Sequence, residues 1–326
     1  MTASPPAPAP TSRLANFPVP FFATVMGLSG LTIATHKVES LWGATHGPAT
    51  VLFALTLGVF GLVAGLYALK ALRHPQAVLA EWNHPIRISF FPASSIGLLL
   101  LGSAAVPVNA DLARGLWGAG AALHLVLTLA VMRAWIDHSR FEVAHTNPAW
   151  FIPVVGNVLV PVAGVGFAPA DVSWFFFSVG LVFWVVLLTI VVYRLIFHPP
   201  LPGKMVPTLF ILLAPPSVAF LSWVALTGGV DAFGRILYFA AVFFFLLLLT
   251  QLPKFAQVPF AMSWWAYSFP LAAFTIATLV MGERVQSAVY MTAGQGLYGL
   301  LVLVVGGLAL RTLVAVVRRE ICTPEH

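Results

Sequence analysis

Ten stretches of this chain are each about long enough and apolar enough to cross a bilayer as a helix, and only short loops separate them. A helical span needs roughly 20 apolar residues, and the stretches run approximately over 17–36, 48–70, 85–106, 113–134, 148–168, 172–197, 205–227, 232–251, 258–281 and 286–317. Hydrocarbon offers no partner to a backbone N–H or C=O, so a spanning chain is confined to helices or a closed barrel, and runs of this length select helices. Only 8% of the 326 residues are charged and 60% are hydrophobic, where an ordinary soluble domain is roughly a quarter charged. The expectation is one all-α integral membrane domain over 17–318. A disordered cytoplasmic tail over 1–16 precedes it and a cytoplasmic tail over 319–326 follows. Met1 to Asn16 is rich in Pro and Ala with a single Arg, unlike the basic start and short apolar core of a cleavable signal, so it is expected to be retained.

The basic residues set the orientation. Arg13, Lys70, Arg73, Arg87, Arg133, Arg140, Arg194, Lys204, Lys254, Arg311, Arg318 and Arg319 fall at the termini and in the loops after even spans. Lys37, Arg114, Arg235 and Arg284 fall in the opposite loops. Lys and Arg are retained on the cytoplasmic side, so twelve against four places both termini in the cytoplasm. The same scatter argues against nucleic acid as the partner of a chain with a formal charge of +6, because nucleic-acid binders cluster their cations. The single cysteine, Cys322, excludes an intrachain disulfide and leaves no cysteine metal site to build.

Odd and even spans differ in kind. The odd ones carry Phe17-Pro18-Val19-Pro20-Phe21, Phe90-Phe91-Pro92-Ala93-Ser94, Phe151-Ile152-Pro153-Val154-Val155-Gly156, Ala214-Pro215-Pro216-Ser217 and Ser268-Phe269-Pro270-Leu271, whereas spans such as Val51 to Leu69 and Val179 to Val192 contain no proline. A mid-span proline removes an N–H and clashes with the carbonyl four residues back. It is tolerated in a membrane only where neighbours or a cavity satisfy what it frees. Pro20, Pro92, Pro153, Pro215 and Pro270 follow one another at 55 to 72 residues, about one helical hairpin, and repeats at such an interval point to a repeated architecture. The fold expected is five helical hairpins in a quasi-fivefold ring, with kinked odd helices lining a central pore and smooth even helices outside. In the ninth span, Trp264, Trp265, Tyr267 and Phe269 crowd before Pro270, which sets Phe269 toward the axis.

The ten acids, Glu39, Glu81, Asp111, Asp137, Glu142, Asp171, Asp231, Glu283, Glu320 and Glu325, all fall in loops, tails or span ends. Proton relays and cation pathways depend on intramembrane ionisable groups. A lumen free of acids, with cations near its mouth, admits anions. Of nine histidines, His36, His46, His74, His84, His138, His145 and His198 lie at span ends or in loops and His326 is terminal. His124 alone lies well inside a span, which is one ligand short of a haem held between facing helices and fits a hydrogen-bonded histidine of the bundle. Phosphate loops, HExxH and nucleophile elbows are missing from the sequence, so neither an enzyme nor a cofactor is expected.

Four separated motifs carry a resemblance across nearly the whole chain. His84-Pro85-Ile86-Arg87-Ile88-Ser89-Phe90, Asn147-Pro148-Ala149-Trp150-Phe151-Ile152-Pro153, Leu213-Ala214-Pro215 and Trp265-Ala266-Tyr267-Ser268-Phe269-Pro270 resemble the third, fifth, seventh and ninth helices of the tellurite-resistance and dicarboxylate transporter family, which includes bacterial TehA and the plant slow-type anion channels. The resemblance implies a homotrimer of independent pores in a bacterial inner (plasma) membrane. It also implies that Phe269 plugs the pore as its gate. The function expected is a passive channel for small monovalent anions, lined at Pro20, Pro92, Pro153, Pro215 and Pro270 and entered past Arg87. The other expectation from the family's cargo is a carrier or exporter of sulfite, malate or another C4-dicarboxylate, or tellurite. A carrier should hold its substrate at mid-depth with cations or strong donors, for which only Arg87 and Arg133 stand near enough, and both are placed to snorkel to headgroups.

Overall fold

The prolines that mark the odd spans stand where one kind of helix gives way to another. In a computed structural model that describes residues 12–45, 47–137 and 140–323, the chain is helical with no strand among the described residues. Among the described residues ten apolar helical segments follow one another: α1 (Val19–Trp42), α2 (Gly47–Arg73), α3 (Arg87–Ala105), α4 (Ala110–Asp137), α5 (Pro148–Gly164), α6 (Ala170–Phe197), α7 (Gly203–Thr227), α8 (Ala232–Leu249), α9 (Met262–Arg284) and α10 (Ala288–Val317). Nine of them are long and apolar enough to cross a membrane, while α5 is shorter. His46, His138, His326, Glu325 and residues 1–11 of the expected N-terminal tail lie outside the described residues.

Each odd segment opens as a 3-10 helix and continues as an α-helix. The 3-10 openings are Val19–Phe21, Arg87–Phe90, Pro148–Trp150, Gly203–Leu213 and Met262–Tyr267. Proline deletes an i to i−4 bond and repels the carbonyl behind it. A 3-10 turn closes its bonds three residues back and so accommodates the ring without a broken helix. The sequence predicts kinks in continuous α-helices; the structure answers the same steric problem with these junctions. Carbonyls at all five are taken by hydroxyls: Thr24 donates to Phe21 (2.7 Å), Ser95 to Pro92 (2.8 Å), Thr128 of α4 to Pro153 (2.6 Å), Ser217 to Leu213 (2.7 Å) and Ser268 to Trp265 (2.6 Å). Ser and Thr can satisfy a disrupted helix backbone where water cannot reach it.

Burial separates the two sets. In their most apolar windows α1, α3, α7 and α9 are 72–78% buried, against 22–33% for α2, α4, α6, α8 and α10. The odd segment of each consecutive pair packs on the even one that follows it. In addition α1 packs on α3 and on α9, α3 on α5, α5 on α7, and α7 on α9. The α1–α9 approach is closer than side chains allow. A Cβ on Gly30 would stand 2.7 Å from the Cβ of Ala272, and one on Gly27 would overlap Ser268. Segment starts are held by local polar chemistry, as at α8, where the Asp231 carboxylate accepts from the Gly234 N–H (2.8 Å) and the Trp223 indole (2.8 Å). Those donors hold its carboxyl below the usual carboxylate range, the Gly234 N–H most of all.

Span ends are not all exposed. Glu81, on the short helix Pro75–Asn83, is 3% exposed, and Lys70, in the last turn of α2, is 1% exposed. Lys70 Nζ bonds Glu81 Oε2 (2.7 Å) and the Phe17 carbonyl (2.8 Å), Tyr67 donates to Glu81 Oε2 (2.8 Å), and the Val19 N–H donates to Glu81 Oε1 (3.2 Å). Charges that the sequence assigns to orientation therefore also clamp the entry of α1.

Candidate functional site

The 3-10/α junctions surround a cavity of about 80 Å³ to which every odd segment contributes: Ala23 and Met26 from α1, Phe90, Ala93 and Ile96 from α3, Phe151 through Leu159 in part from α5, Ile211, Ala214, Pro215 and Val218 from α7, and Trp265, Ala266, Phe269 and Pro270 from α9. Its lining residues are apolar or glycine, and none is charged. The reason is local: small residues (Ala23, Ala93, Gly156, Ala214, Ala266) stand within four residues of the prolines and leave room between the five backbones. Between them Phe90, Phe151, Trp265 and Phe269 fill space. An apolar space of this kind resists ions by leaving them without a hydration shell or a replacement for it.

Phe269 is the second residue of the α-helical part of α9, which begins at Ser268. It is half-buried, and a Cβ on Gly30 of α1 would come 3.6 Å from its Cδ2, so a glycine faces the ring across the α1–α9 contact. By contrast Phe274 is buried and stacks on Phe245 with centroids 4.9 Å apart. Trp265, one turn before Phe269, is anchored from outside by its Nε1 donating to Thr312 Oγ1 of α10 (3.0 Å).

Of the residues singled out in the sequence, Phe269, Pro270 and Pro215 line the cavity. Pro20, Pro92 and Pro153 do not, though each lies within three residues of one that does. Arg87 sits in the 3-10 opening of α3, partly exposed and three residues before Phe90; Arg133 is exposed and pairs with Asp137 (3.1 Å). His124 is fully buried in α4 with its Nδ1 2.8 Å from Ser95 Oγ. Sequence reasoning did not find Phe90, Phe151 or Met26 as wall residues, although Phe90 and Phe151 stand in the proline motifs that it quoted.

The family described as SLAC1, voltage-dependent anion channel, matches residues 16–313. The chain is 30% identical to S-type anion channel SLAH3 of Arabidopsis thaliana over 92% of its own length and 48% of the relative's. It is 27% identical to an uncharacterized transporter of Methanocaldococcus jannaschii (89% and 92% covered) and 28% identical to a tellurite resistance protein TehA homolog of Haemophilus influenzae (79% of each). It thus spans about half the length of the plant relative and most of the length of the other two.

Proposed function

We propose, from the premise that this chain belongs to the SLAC1 voltage-dependent anion channel family, that it is a passive channel for small monovalent anions, with a path through the cavity that Phe269 closes. The observation that carries this reading is the cavity itself: all five odd segments contribute to one charge-free, apolar space, and a phenyl ring stands in its wall. Selectivity in such a lumen follows dehydration cost and width, so large, weakly hydrated anions pass best. The carrier reading, with sulfite, a C4-dicarboxylate or tellurite as cargo, would need a mid-depth cation in contact with the substrate, and the cavity lining supplies none. No enzymatic step enters this reading. Planar-bilayer recording with several anions tests it: current driven by the anion's own electrochemical gradient supports the channel, and flux driven by a pH gradient defeats it.

The architecture belonging to this reading is ten spans in five hairpins around the cavity. The chain of odd-to-odd contacts, from α1 through α3, α5, α7 and α9 back to α1, supports a ring. The length of α5 is compatible with a full span. Its two 3-10 pieces hold seven residues and its two α pieces ten, which at about 2.0 Å and 1.5 Å per residue gives roughly 29 Å against a hydrocarbon core of roughly 30 Å. A homotrimer in a bacterial inner membrane with cytoplasmic termini completes the proposal. Reporter tags at Thr2 and Glu325 are expected to read as cytoplasmic; a periplasmic signal from either would break the ten-span arrangement.

At the mouth, Arg87 should raise the local anion concentration by an attraction that salt screens over roughly 8 Å at physiological ionic strength. Arg87→Gln is expected to lower current at low salt and to converge on wild type at high salt. A loss independent of salt would make Arg87 a structural residue.

A further inference from the structure

His124 has no task in the channel just described, yet its surroundings are unusual. Its Nδ1 lies 2.8 Å from Ser95 Oγ, which is also 2.8 Å from the Pro92 carbonyl oxygen. The hydroxyl has one proton to give to either. Both arrangements leave His124 Nε2, which is fully buried, without a partner. That nitrogen faces the wall of the cavity: a Cβ on Gly156 would stand 2.7 Å from Nε2 and 2.8 Å from Ile96 Cδ1, and Gly156 and Ile96 both line the cavity. The imidazole therefore occupies the seam between α3 and α5, at a position that only glycine leaves open. The groups around it are Ser95 and Ile96 from α3, Gly156 and the Pro153 carbonyl from α5, and Thr128 on its own helix, which receives the Asn157 amide (3.1 Å). None of these carries a charge or titrates.

We propose that His124 is a proton-binding site in the cavity wall whose occupancy and that of an anion in the cavity reinforce each other. This rests on the reading of the cavity as an anion path. An imidazolium alone in this wall is disfavoured by its burial, and so is an anion alone in the cavity. Together they neutralise each other across a glycine, in a medium where opposite charges attract far more than in water. The proton comes from water and is added to Nε2. Nδ1–H then donates to Ser95 Oγ, Ser95 donates to Pro92, Nε2–H points at the Gly156 seam, and the proton returns to water when the anion leaves. One isolated site links occupancies and is not a relay, so the channel stays passive. Because linkage is reciprocal, anion binding must take up protons to the degree that protons promote anion binding.

The test adds nitrate to purified full-length protein in weakly buffered detergent and measures proton uptake. Wild type is expected to take up protons; His124→Asn, which keeps an amide near the Nδ1 position for Ser95, and Gly156→Ala, whose Cβ displaces the ring, are both expected to lose most of that uptake while eluting as the wild-type assembly. In the Phe269→Ala background, nitrate current is expected to rise roughly threefold or more as the pH is lowered with His124 present and to stay flat with Asn in its place. Absence of uptake in wild type, or equal uptake in His124→Asn, overturns the proton site whatever the currents do. Uptake that requires His124 with no current at any pH upholds the site and overturns the channel.

Discussion

Phe269→Ala is expected to raise anion current over wild type by at least about tenfold, the effect of lowering a barrier by about 1.4 kcal/mol. The ring is half-buried and stands in the wall of an apolar cavity, so its removal enlarges that dry space more than it unpacks a core. Along α9 it comes after six 3-10 residues, roughly 14 Å from the start of a segment roughly 37 Å long, within the reach of the hydrocarbon core. Gly30 of α1 stands opposite the ring. Phe274→Ala is the control. That ring is 4% exposed and stacked on Phe245, so its truncation should destabilise by about 3–5 kcal/mol and open nothing. Bilayer recordings on correctly assembled protein decide the matter: a stable Phe269→Ala variant no more conductive than wild type removes the gate.

A large stability effect is also expected at the Lys70–Glu81 pair. Taking one partner from a buried ion pair leaves the other charge desolvated, at a cost of about 3–5 kcal/mol. Glu81→Gln leaves the Lys70 ammonium with the Phe17 carbonyl, and Lys70→Met leaves the carboxylate with Tyr67 and the Val19 N–H. Each single variant should melt well below wild type in detergent. The double variant Lys70→Met/Glu81→Gln should recover much of the loss, because no buried charge remains. Additive losses in the double variant would show that each residue acts through separate contacts.

The sequence alone determined that the chain is helical, apolar and membrane-spanning, and that its odd and even spans differ, because apolar length and proline spacing are properties of the one-dimensional chain. It also picked out Phe269, through the density of aromatics before Pro270. The prolines were legible as trouble for an α-helix, yet the form of the answer was not. The form depends on what takes up the backbone carbonyls around each proline, and at Pro153 the donor, Thr128, comes from another helix. Likewise the apolar run over 148–168 reads as a span like the others, and only the structure divides it into two 3-10 and two α pieces. Lys70 and Glu81 looked like loop charges because the sequence places them at span ends. Only the packing of the Pro75–Asn83 helix under the entry of α1 buries them together. His124 could be seen as the one mid-span histidine, but not which way it faced. Successive residues turn about 100° around a helix, so the side that a residue presents, and hence its partner, is set by how neighbouring helices are rotated against one another, which only the tertiary contacts decide.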